Sequence, residues 1–157
     1  YEGSLRVPFL VRWPGKIPPN RVSNEIVHTV DLFVTLANWV GGKIPTDRTM
    51  DGVDQSGFLM GKTEKSARES IVIYVDNDLF GVKWRNWKML LKTIDEDDSS
   101  VKTYAYPTFY NLLVDPKEEH PQRNYGLDTW VDYPLYQVIE DFQASLEKDS
   151  GTPDPNY

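Results

Sequence analysis

The sequence predicts an α+β fold, a four-stranded antiparallel sheet packed under a terminal helix, preceded by a shorter segment built around one helix. Three observations lead there. Residues 71–75, 80–84, 87–92 and 109–114 are short runs rich in β-branched and aromatic side chains, and in the two middle runs apolar positions alternate with lysine or arginine. Leu135, Val138, Ile139, Phe142 and Leu146 recur at the spacing that lines one face of a helix. Val30, Phe33, Val34, Ala37 and Val40 do the same just ahead of Gly41-Gly42, a pair suited to ending a helix.

Each element has its own local justification. Val7, Phe9, Val11 and Trp13 alternate with Pro8, Leu10 and Arg12, which predicts a buried strand over 7–13 with Pro8 at its start or on an edge. Trp13-Pro14-Gly15 turns the chain into a Pro-rich loop over 16–20. Thr29 is the expected N-cap of the first helix, with Asp31 in its first turn where a negative charge suits the helix dipole. Residues 56–60 predict a short helix closed by Gly61. The polar stretch 62–69 marks the expected boundary between a first part, 1–62, and a sheet subdomain, 63–157. Arg85-Asn86 separates the two alternating runs and predicts a hairpin. Each of those strands has one apolar and one cationic face, so the sheet is expected to be covered on one side and wet on the other. Residues 94–102 predict an exposed acidic loop, and Asp115-Pro116 stops the run at 109–114. Residues 117–126 read as a polar loop, and 151–157 as a Pro-rich tail. Asp132-Tyr133-Pro134 opens the terminal helix with Pro in its first turn.

Bulk properties narrow the function. The 157 residues carry a formal net charge of -7, which disfavours binding to a nucleic-acid backbone. Cys is absent, so disulfides, thiolate metal sites and a cysteine nucleophile are excluded within these residues. No apolar run approaches the length that spans a bilayer, and no membrane partner is expected. The chain starts at Tyr1 and runs at once into an apolar stretch, which reads as the back part of a larger enzyme.

Candidate chemistry is sparse. His28 and His120 lack neighbouring ligands at metal spacing, and surface or capping roles suit both. Asp76-Asn77-Asp78 invites a Ca²⁺ reading but lacks the full ligand loop, and a turn between strands explains it at least as well. Glu118-Glu119 reads as a solvated loop pair, Asp95 to Asp98 as a solvated acidic loop, and Trp84, Arg85 and Trp87 as hairpin packing or the border of a ligand groove. No phosphate loop or nucleophile elbow is present.

Several segments in order resemble the C-terminal portion of the type I sulfatases, the arylsulfatase family. Tyr1-Glu2-Gly3-Ser4-Leu5-Arg6-Val7-Pro8 resembles its aromatic-Glu-Gly-Gly-x-Arg-x-Pro segment, with Ser4 in place of the second Gly. Val30-Asp31-Leu32-Phe33 with Thr35-Leu36, and Asp51-Gly52-Val53-Asp54 with Ser56 and Leu59, are similar to two further signatures, the second with Gln55 where an apolar residue is common. Arg85-Asn86-Trp87-Lys88 and Tyr110-Asn111-Leu112 with Asp115-Pro116 and Glu119 resemble two more. The resemblance implies an alkaline-phosphatase-like α/β parent that hydrolyses aryl or carbohydrate sulfate esters with a formylglycine nucleophile and Ca²⁺. The formylglycine segment, Cys/Ser-x-Pro-x-Arg, does not occur in this sequence, and neither do the family's metal-binding and activating residues. The chain is therefore expected to hold no catalytic residue, cofactor or metal ligand of its own. Glu2 and Arg6 become candidates for supporting the catalytic shell, and Trp84 and Arg85 for the rim of the substrate cleft. The implied partner is the missing N-terminal catalytic half, with self-association as a second possibility. The alternative expectation is a non-catalytic glycan-binding or self-associating module.

Overall fold

Four strands form one antiparallel sheet in the order β1-β2-β3-β4: β1 (Ser70–Val75), β2 (Asp78–Trp84), β3 (Trp87–Ile94) and β4 (Val101–Asn111). Two-residue loops join the first three. Val75 pairs with Asp78 around Asp76-Asn77, and Trp84 pairs with Trp87 around Arg85-Asn86. Asp76 and Arg85 take φ of 56 and 51, the left-handed conformation that tight hairpin loops need. The Asp76-Asn77-Asp78 cluster is thus the turn between β1 and β2. This computed structural model describes residues 2–95, 97–122 and 129–148. The expected loop over 123–126 and the tail over 151–157 lie outside the described residues.

The sheet's first face is apolar because β2 and β3 alternate. Val82, Trp87, Met89 and Phe109 project to one side and meet Val131, Leu135 and Ile139 in a single buried core. Leu135 and Ile139 belong to α4 (Asp132–Lys148), which a 3-10 turn at Thr129–Val131 leads into. Phe142 extends the contact to β1 through the Tyr74 ring, centroids 5.6 Å apart, while Leu146 at the helix end stays exposed. Gly81 sits opposite Leu90, and a Cβ at that position would run into the Met89 carbonyl oxygen. Gly81→Ala is therefore expected to cost about 1–3 kcal/mol in urea denaturation, with the loss concentrated in the sheet unit.

Two strand expectations are corrected. The last strand starts at Val101, eight residues before Phe109, and ends at Asn111, where 112–114 turn. Its first half escapes pattern reading because Leu90 pairs with Thr108 and Lys92 with Thr103, so Tyr104 to Pro107 oppose Leu91 alone as a wide bulge. A bulge on an edge strand is where a proline is tolerated. The acidic loop shrinks accordingly to the residues between Ile94 and Val101, with Lys102 paired to Asp95 at its base. The sheet's second face is also not wet. Lys83 and Lys88 point there, yet Lys88 is 1% exposed and Lys83 is largely covered. Both are neutralised by carboxylates described below.

Contacts divide the chain into two compact units: Val7–Glu69, and Ser70 onward together with the segment up to Arg6. In the second unit, α1 (Glu2–Leu5) is a single short turn, closed by Arg6 N–H on the Glu2 carbonyl at 2.7 Å.

In the unit Val7–Glu69, α2 (Thr29–Trp39) is followed by α3 (Ser56–Leu59). The cap of α2 is His28, one residue before the expected Thr29. His28 has an extended backbone, its Nδ1 accepts Val30 N–H at 3.3 Å, and its own N–H donates to Asp31 Oδ2 at 2.9 Å. This reciprocal pair satisfies two helix-end donors at once. Gly42 N–H on the Ala37 carbonyl, 2.8 Å, closes the other end. The expected stripe splits: Val34 is buried with Asp31 and Thr35, whereas Val30, Phe33 and Val40 are exposed. Residues 7–13 form no strand. A strand needs a ladder partner, none of the described residues provides one, and Val7 and Leu10 are 69% and 94% exposed.

Candidate functional site

On the sheet face opposite α4, four charged side chains converge. The two-residue loop at Arg85-Asn86 fixes the register so that Lys83 on β2 lies directly across from Lys88 on β3. Two facing ammonium groups repel each other, and burying them demands counter-charge. Glu2 of α1 supplies one carboxylate: its Oε2 accepts from Lys83 Nζ at 2.8 Å, and its Oε1 lies 3.6 Å from Lys88 Nζ. Glu118 supplies the other, with Oε1 accepting from Lys88 Nζ at 2.8 Å and from the main-chain N–H of Glu2 at 2.7 Å. Two positive and two negative groups among the described residues thus offset one another.

Glu118 reaches this position through a strained turn. It takes φ of 59, uncommon for a residue with a side chain, and its N–H donates to the Asp115 carbonyl at 3.2 Å. The Asp115 carboxylate anchors the turn by accepting His120 N–H at 2.8 Å and Glu119 N–H at 3.0 Å. Those backbone donors, His120 first, hold the Asp115 carboxyl below the usual carboxylate range. The expectation that Glu118-Glu119 is a solvated pair is therefore corrected for Glu118, which is buried, and holds for Glu119, which is exposed.

A second buried network organises the unit Val7–Glu69. Asp31 is fully buried and receives Arg68 Nε and Nη2, the latter at 2.6 Å, together with Val53 N–H, His28 N–H and Gln55 Nε2. Burial opposes ionisation of Asp31, but the Arg68 guanidinium and the two backbone donors outweigh it and hold its carboxyl below the ordinary range. Gln55 is equally buried, and its Oε1 accepts Ser66 Oγ at 3.0 Å and Ala67 N–H at 3.1 Å. Gly52 lets the 51–54 segment press on the first turn of α2, because a Cβ there would strike the Val30 carbonyl. An apolar side chain in place of Gln55 would leave these polar partners unmet, which accounts for the amide at that position.

At the hairpin end, Trp84 and Trp87 pack edge-on against Trp130, with centroids at 6.5 and 5.8 Å. The Arg85 guanidinium lies over the Trp84 ring at 4.6 Å. Trp130 itself remains 59% exposed.

The chain as a whole has relatives among known proteins. The family model described as "N-sulphoglucosamine sulphohydrolase, C-terminal" matches residues 1–120. The chain belongs to the sulfatase family. Steryl-sulfatase of Rattus norvegicus is 32% identical over 143 residues, covering 77% of this chain and 25% of that protein. Arylsulfatase D of Homo sapiens is 37% identical over 143 residues, covering 77% and 24%. The crystal structure of the PsFucS1 sulfatase from Pseudoalteromonas sp. shares the fold with a TM-score of 0.79 at 22% identity, over 90% of this chain and 30% of that one. The chain thus spans about a quarter of the length of the curated sulfatases it matches.

In this sulfatase chain the residues singled out by sequence are spread out. Glu2 is buried in the four-charge cluster, and Arg6 is exposed. Trp84 and Arg85 stay at the hairpin turn, with Trp84 on the face that packs under α4. Lys83, Lys88, Glu118 and Arg68 were not legible as a set, since their partners lie 30 to 116 residues away. For the lysines one signal existed: a two-residue loop that sets them opposite each other calls for carboxylates.

Proposed function

We propose that this chain is the supporting C-terminal part of an enzyme that hydrolyses aryl or carbohydrate sulfate esters, and that by itself it is inactive. The observation that carries the proposal is the family match over residues 1–120. The division of labour is supported by the chain's own chemistry. The sequence has no Cys and no Ser-x-Pro-x-Arg segment from which formylglycine is made. Among the described residues no group of three or more His, Asp or Glu is placed to hold a metal ion. The nearest deeply buried carboxylates, Glu2 and Glu118, are already occupied by Lys83 and Lys88. Formylglycine and Ca²⁺ are accordingly proposed to belong to the remainder of the enzyme.

That remainder is the proposed partner of this chain. Exposed Val7, Phe9 and Leu10 offer it an apolar segment that is proposed to pair there as a strand. Trp84 and Arg85 are proposed to line the rim of its substrate cleft, where a ring stacked beneath a guanidinium suits an anionic sugar or aryl ester. The test is to assay the intact protein with an aryl sulfate before and after removal of Ca²⁺, and to search its peptides by mass spectrometry for an aldehyde side chain. Metal-dependent sulfate release with the aldehyde present is expected. An intact protein with neither feature overturns the proposal.

A further inference from the structure

We infer that Glu118, held by Lys88, is a positioning residue that pins the main chain at Glu2 to the sheet. The acceptor is shared: one oxygen, Glu118 Oε1, receives both the Lys88 ammonium at 2.8 Å and the Glu2 N–H at 2.7 Å. The ammonium neutralises the carboxylate and fixes its rotamer, so the oxygen is already aimed when the Glu2 peptide arrives. The Glu2 side chain adds a second tie through Lys83 at 2.8 Å, which prevents the peptide from rotating about the first. Both lysines stand on adjacent strands, directly opposite each other in the ladder. The cost of a buried Lys88 and of a left-handed Glu118 is incurred at one place, and what that place touches is the backbone at residue 2. The main chain at Glu2 is thereby set to the geometry of the β2–β3 hairpin. This anchoring does not depend on sulfate chemistry. Its relevance to hydrolysis, as the fixed end of the segment leading to the catalytic half, rests on the proposed function.

The experiment compares two double variants of the full chain, Lys88→Met/Glu118→Gln and Lys88→Met/Glu118→Leu. Both replace the buried pair by neutral side chains of similar size, and only the glutamine keeps an acceptor for the Glu2 N–H. Amide hydrogen exchange is read by NMR at Glu2 and Arg6, whose N–H groups donate to Glu118 Oε1 and to the Glu2 carbonyl, and along β3. In the leucine variant Glu2 and Arg6 are expected to exchange about tenfold or more faster than in wild type, with β3 unchanged. In the glutamine variant both amides are expected to return to within about threefold of wild type. Equal exchange at Glu2 and Arg6 in the two variants would overturn the inference. So would loss of β3 protection in either variant, because the pair would then serve the sheet and not the segment. Neither result touches the sulfatase proposal, whose test is turnover by the intact protein.

Discussion

Asp31→Ala is expected to remove about 3–5 kcal/mol from the unit Val7–Glu69, enough to unfold it. The substitution leaves the Arg68 guanidinium, 17% exposed, without its carboxylate and orphans the N–H groups of Val53 and His28. It also cuts the only described tie from Arg68 to α2. Circular dichroism under urea should show the helical unit melting first, with the sheet unit's transition in place. The same carboxylate gives an acid dependence of known sign. Its pKa in the folded chain lies below the ordinary value, so its stabilisation is complete above about pH 4 and is lost as the pH falls through the folded value. Asp31→Asn should therefore flatten the stability profile below about pH 4 while lowering it at neutral pH.

Lys88→Ala is the second large effect, again about 3–5 kcal/mol, now in the sheet unit. The alanine leaves the buried Glu118 carboxylate without its 2.8 Å ammonium and opens a void beneath β3. Replacing both members, as in Lys88→Met/Glu118→Leu, should recover most of that loss, because two apolar side chains need no partner. The contrast between the single and double variants in chemical denaturation separates the cost of a stranded charge from the worth of the pair. A single variant no less stable than the double would mean that the cluster is not closed in the way its distances describe.

The parts of this fold that sequence makes legible are those whose cause is local. The β2–β3 hairpin follows from alternation on either side of Arg85-Asn86, and α4 from one apolar stripe and Pro134 in the first turn. The missed parts have causes far along the chain. Lys83 and Lys88 alternate with apolar residues as a wet face would, and only Glu2 and Glu118, from outside the sheet, reveal that they are buried. Arg68 sits in a polar stretch that reads as a linker, yet its side chain returns 37 residues to Asp31. Residues 7–13 carry an alternating pattern without a ladder, because pattern specifies which face is apolar and not whether a neighbour exists. Pro107 masks the first half of β4 by falling inside the bulge that tolerates it.

The candidate site follows the same division. Glu2 is readable from its motif, whereas its role in a charge cluster comes from register and turn geometry. The aromatic end of the hairpin is readable as packing, and Trp130 joins it from across the sheet unit.

The most direct test of the whole account is turnover by the chain alone. The purified chain, mixed with a chromogenic aryl sulfate and millimolar Ca²⁺, should release sulfate no faster than buffer, since Glu2 and Glu118 are held by lysines, Asp31 is held by Arg68, and its sequence offers no formylglycine precursor. Sustained, saturable hydrolysis by this chain would contradict the assignment of its charged cluster to support and not to chemistry.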